Sequence, residues 1–95
     1  MEQKIQLKHP AGKKAVRMDK SKYDAISHAI LTHLRNVGES THSGILRAIT
    51  EEIRRSKMSF EGSIEWHMEW VKLDLEARNE IKRSENNSPI TFTIA

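Results

Sequence analysis

The sequence predicts one α+β domain, built from a short N-terminal strand, three helices and a C-terminal two-stranded hairpin. Three observations carry that expectation. Residues 3 to 8 alternate, with Ile5 and Leu7 on one side and Lys4, Gln6 and Lys8 on the other, the period of a half-buried strand. Three later stretches carry apolar residues at spacings of three and four, the period of an amphipathic helix. The closing run Ile90-Thr91-Phe92-Thr93-Ile94 is β-branched and aromatic, as strands favour.

His9-Pro10-Ala11-Gly12 ends the first strand, and Lys13 to Met18 follow without clear periodicity, so residues 1–18 are expected to form a strand and a basic arm. Asp19 is placed to cap a first helix over about residues 20–36, whose stripe is Tyr23, Ile26, Ile30, Leu34 and Val37. Gly38 closes it, because glycine accepts the left-handed backbone that a Cβ disfavours. Glu39 to Thr41 is expected to be a connector. Thr41 or Ser43 then caps a second helix running to about Lys57, with Ile45, Leu46, Ile49 and Ile53 inward and Glu51, Glu52, Arg54 and Arg55 in solvent. Met58 and Phe60 are large enough to pin the following turn to the core. Ser63 caps a third helix to about Arg78, which Asn79 terminates. Ile81 to Arg83, a polar turn over residues 84–88 and the last apolar run form the hairpin. The three-helix core is thus expected over 19–83 and the hairpin over 81–95.

Composition narrows the function classes. Ninety-five residues with 37% hydrophobic content, two prolines and four glycines suit one core and not two. With no cysteine, disulfide frameworks, cysteine-based zinc sites and thiol nucleophiles are excluded. Met1 to Ile5 lack the apolar run of a signal peptide, and no stretch approaches the roughly 20 apolar residues of a membrane span. A cytoplasmic protein without a membrane partner is expected. The net charge is +3. Residues 1–22 hold seven basic and two acidic side chains, a surplus of five, whereas residues 43–83 hold eight of each. The basic surplus sits in the N-terminal arm.

The passage Leu75-Glu76-Ala77-Arg78-Asn79-Glu80-Ile81-Lys82-Arg83, following three helices and leading into a hairpin, resembles the winged helix-turn-helix superfamily over about residues 20–94. Those domains carry Gly where this chain has Asn79, and an apolar residue where it has Glu80. A second resemblance rests on Gly12-Lys13-Lys14, Arg17-Met18-Asp19, Tyr23-Asp24 and Leu73 to Arg78, and is to a family of small bacterial proteins with no established function. The winged helix resemblance implies an α+β winged helix fold and double-stranded DNA as a partner, with the third helix in the major groove and the hairpin as the wing.

Phosphate contacts need Lys and Arg. The third helix offers Glu65, His67, Glu69, Lys72, Asp74 and Glu76, four acids in six, so Lys13, Lys14 and Arg17 in the arm and Lys82 and Arg83 in the wing are the better nucleic-acid candidates. That same helix has apolar residues on two sides. At about 100° per residue, Ile64, Met68, Val71 and Leu75 cluster on one face and Trp66, Trp70, Leu73, Ala77 and Ile81 on the other. The second face is left to the N-terminal strand, the hairpin, or a second copy of the chain. In the last case Trp66 and Trp70 are the anchors of a homodimer or protein interface.

Catalysis finds little support. The five histidines are scattered, none sits in a His-Glu-x-x-His motif, and His28 and His33 are five apart on different helix faces. No metal, cofactor or small-molecule substrate is expected. Gly12-Lys13-Lys14 lacks the spacing of a phosphate-binding loop and reads as an exposed basic turn. The expected function is binding without catalysis, either to DNA or to protein.

Overall fold

The computed structural model describes residues 3–85 and 88–95, and its elements are three helices and five short strands. Strands β1 (Lys4–Gln6) and β2 (Arg17–Asp19) pair antiparallel, with Ile5 opposite Met18. The expected basic arm is therefore the far limb and loop of a hairpin. Periodicity missed β2 because three residues are too few to show alternation. Leu7 and Met18 turn into the core, and the Leu7 N–H donates to the Val16 carbonyl.

Helix α1 (Lys20–Val37) begins directly after β2. Asp19 does not cap it through its side chain, contrary to expectation. Its carboxylate instead takes the Lys4 and Lys22 ammonium groups, so the charge that would cap the helix ties the strand to it. Gly38, at φ 84°, closes α1 as the sequence predicts and returns its N–H to the Leu34 carbonyl.

The expected connector at 39–41 is strand β3 (Glu39–Thr41). It was illegible locally because its partner lies some fifty residues away. Thr41 then caps α2 (His42–Ser56), its hydroxyl accepting from the Gly44 N–H at 3.1 Å. Lys57 ends α2 in the left-handed region, and Met58 and Phe60 pack against the core. Ser63 caps α3 (Ile64–Ala77), accepting from the Trp66 N–H at 3.1 Å. Asn79, at φ 61°, turns the chain into β4 (Ile81–Ser84), which pairs with β5 (Thr91–Ile94). The turn predicted over 84–88 lies partly outside the described residues. The three-stranded antiparallel sheet has the order β3-β5-β4.

One core joins these layers. Ile26, Ile30 and Leu34 of α1 meet Ile45, Ile49 and Ile53 of α2 and Met68, Val71 and Leu75 of α3, closed at one end by Ile81 and Phe92 of the sheet. Each such side chain stabilises the fold by about 1.5–3 kcal/mol through burial. Ile81, read both as the end of the tryptophan face of α3 and as the start of the hairpin, belongs to the hairpin strand β4 and is buried. No helix among the described residues is long and apolar enough to cross a membrane.

Candidate functional site

Helix α3 sorts its side chains into three stripes. Met68, Val71 and Leu75 face the core and are buried. Glu65, Glu69, Lys72 and Glu76 recur at spacings of four and three along a second stripe. Trp66, Trp70, Leu73 and Ala77 form the third, beside the acids. Trp66 is 45% exposed, while Trp70 and Leu73 are half-buried. Neither the N-terminal hairpin nor the sheet covers Trp66. Ser63, Glu65, Trp66, Glu69, Trp70 and Leu73 together line an open depression that contains no cationic side chain. The two indoles meet edge to face, with centroids 6.5 Å apart, and Trp66 also packs against the His67 ring.

The acidic stripe is held in place from below. Lys72 is buried beneath it, with its ammonium 4.3 Å from the Phe92 ring centroid and 3.0 Å from Glu69 Oε1. Lys72 Nζ also lies 2.9 Å from His42 Nδ1, and His42 Nε2 lies 2.9 Å from Glu65 Oε2. Because an ammonium only donates, Nδ1 accepts and the ring proton sits on Nε2, donating to Glu65. His42 at the start of α2 thus joins a buried cation to a surface carboxylate. Sequence reasoning treated Lys72 as a surface charge and did not single out His42. Residues 42 and 72 are linked only by tertiary packing.

A second polar cluster anchors the N-terminal hairpin. Asp74 is fully buried. Its carboxylate accepts from Tyr23 Oη at 2.5 Å, Arg78 Nε at 2.8 Å and the Lys8 backbone N–H at 2.8 Å. Burial pushes the Tyr23 phenol well above its ordinary range, and the bond to Asp74 adds to that. Asp74 is therefore no surface acid, although the helical pattern placed it among the polar positions. It fastens α1, α3 and the hairpin at one point.

The predicted nucleic-acid residues fall on two separate elements. Lys13 and Lys14 lie exposed in the β1–β2 loop, and Arg17 is exposed on β2. Lys82 and Arg83 are exposed on β4, where Arg83 reaches Glu76 at 3.3 Å and lies 5.4 Å from the Phe92 ring centroid. Adjacent strand residues point to opposite faces, so Lys82 and Arg83 do not act on one surface. The hairpin is tied to α3 at Asp74, eight residues from Trp66, or about 12 Å along the helix axis. Cations and tryptophans thus occupy different regions.

Between α1 and α2, His28, Thr32, His33, Glu51, Glu52 and Arg55 line another shallow depression. Burial lowers the His33 pKa, and its Nε2 meets the Ser40 hydroxyl at 2.9 Å. Among the described residues, no group of three or more His, Asp or Glu side chains is placed to hold a metal ion.

A model of a family of unknown function, DUF6958, matches residues 4–92, nearly the whole chain. The chain belongs to the DUF6958 family. No curated protein and no solved structure matches this DUF6958 member. The match runs from β1 into β5, so the N-terminal hairpin is part of the family's shared unit and not an addition to a helical core.

Proposed function

We propose that this protein is a non-catalytic association module of winged helix architecture whose outer α3 surface receives another protein. The order helix, strand, helix, helix, strand, strand, with the sheet arranged β3-β5-β4, supports the architectural reading. Under it α3 is the recognition helix and β4–β5 the wing. The observation that carries the functional reading is the composition of the exposed α3 surface. It presents Glu65, Trp66, Glu69, Trp70 and Leu73, with no cation among them. Carboxylates repel a phosphate backbone, and clustered tryptophans are enriched where proteins anchor one another.

DNA binding is the second reading, favoured by one observation. Among the described residues, Lys8, Lys13, Lys14 and Arg17 form no ion pair, so the β1–β2 hairpin presents uncompensated positive charge. Fluorescence anisotropy of a labelled random duplex, titrated at about 50 and 200 mM salt, separates the two, because several phosphate contacts make affinity fall by orders of magnitude over that range. The association reading expects flat titrations at both salts. Salt-sensitive binding at micromolar protein, lost when Lys13, Lys14 and Arg17 become alanine, overturns it in favour of the duplex.

A further inference from the structure

We infer that the occupant of the α3 surface is a basic, apolar-anchored segment of a different protein, and not a second copy of this chain. The inference rests on the association reading and assigns the partner's chemistry.

Two features on the same surface select positive charge. Glu65 and Glu69 are more than half exposed, with side chains 58% and 52% accessible. Each commits one oxygen inward, Glu65 Oε2 to His42 and Glu69 Oε1 to Lys72. The other oxygen of each carboxylate is left for an incoming donor. Because His42 and Lys72 already fix these side chains, an arriving guanidinium or ammonium meets acceptors whose rotamer freedom has been spent. The neighbouring Trp66 and Trp70 rings offer the second feature, since a cation packs favourably over an indole face. Leu73 and the half-buried part of Trp70 supply apolar area for an aliphatic or aromatic anchor next to those charges.

A symmetric pair of copies fits poorly. Docking α3 against α3 sets the Glu65 and Glu69 row of one copy against the same row of the other, and like charges brought together at an interface disfavour that partner. The cluster of unpaired cations on the β1–β2 hairpin, Lys8, Lys13, Lys14 and Arg17, is tied to α3 about 12 Å from Trp66, and among the described residues Arg35, Arg47, Arg54, Lys57 and Lys82, also without an ion pair, lie outside α3. A copy using any of these cations on its neighbour's α3 surface leaves its own α3 surface vacant. Such head-to-tail contacts build rings or open chains, not a closed dimer.

Trp66 and Trp70 are the only tryptophans in the chain, so intrinsic emission reads this surface directly. The test titrates the whole protein with a synthetic amphipathic helical peptide of leucine and lysine, and with its leucine and glutamate counterpart of identical pattern. The lysine peptide is expected to shift emission saturably to shorter wavelength, with affinity falling several-fold between about 50 and 200 mM salt, while the glutamate peptide produces no shift. Glu65→Gln with Glu69→Gln is expected to weaken the lysine peptide several-fold, since Gln keeps an acceptor for His42 and Lys72 but removes the charge. Lys13→Gln with Lys14→Gln is expected to leave binding unchanged. Equal binding of both peptides, no shift with either, or indifference to the Glu65 and Glu69 changes overturns the inference. Emission that shifts with protein concentration alone, accompanied by a dimer in sedimentation, also overturns it but leaves the association reading standing. A shift caused by duplex DNA overturns both.

Discussion

Replacing Asp74 by alanine is the substitution whose cost the structure fixes most closely. The fully buried carboxylate accepts from Tyr23, Arg78 and the Lys8 N–H, so Asp74→Ala strands three donors at once. Arg78, with its side chain 32% accessible, turns to water, whereas the Tyr23 hydroxyl is in the interior and the Lys8 N–H is partly covered. A stranded buried donor costs about 1–3 kcal/mol, and breaking a buried ionic pair about 3–5 kcal/mol, so a loss of about 3 kcal/mol is expected. For a domain of this size that lowers the melting temperature by about 12–24 °C. Tyr23→Phe alone removes one of three donors to a carboxylate that keeps the other two, and costs about 1 kcal/mol. In the Asp74→Ala background the same change removes a stranded hydroxyl, and its cost vanishes or reverses. Urea denaturation followed by far-ultraviolet circular dichroism measures all four proteins of this cycle. A loss below about 1 kcal/mol for Asp74→Ala, or an equal cost of Tyr23→Phe in both backgrounds, refutes the assignment of Asp74 as the joint of the fold.

Three further outcomes follow from other parts of the molecule. Burial holds the His33 pKa below its unfolded value of about 6.5, so on acidification the unfolded chain takes up the proton first; stability is full above about pH 6.5 and declines below it, and His33→Gln removes that slope from urea midpoints measured between about pH 7 and 5. The hydrogen bond from Lys4 holds the Asp19 carboxyl below the usual carboxylate range; the stability it lends is present above about pH 4 and lost as pH falls through the depressed value, and Lys4→Gln shrinks that loss in acid titrations. Thr41→Ala removes the side-chain cap of α2 and costs about 1 kcal/mol in the same assay, whereas Ser43→Ala, one of the two predicted caps but already inside the helix, costs much less.

The helices were legible because each carries its own evidence. The stripe of α1 from Tyr23 to Leu34, that of α2, the caps Thr41 and Ser63, and the terminators Gly38 and Asn79 all sit where local chemistry demands them, whereas Val37, expected to extend the α1 stripe, is exposed at the helix end. Strands β2 and β3 escaped for a physical reason. Three residues show no period, and β3 has meaning only beside β5, whose sequence lies far downstream. The candidate surface was half legible. The two apolar faces of α3 were visible in the spacing, and so were Trp66 and Trp70. Helical spacing alone placed Lys72 and Asp74 with the solvent-exposed polar residues, whereas packing buries both. A period reports which residues share a direction, not which elements lie in that direction. Phe92 covers Lys72, and the N-terminal hairpin covers Asp74; neither was predictable from α3 itself.

The middle strand of the sheet follows every other element in sequence. Without residues 91–94, the facing edges of β3 and β4 have no partner in this sheet, and Phe92 is missing from its place over Lys72. A chain truncated before residue 91 exposes both edges to its neighbours, which makes β5 the guard against strand pairing between copies.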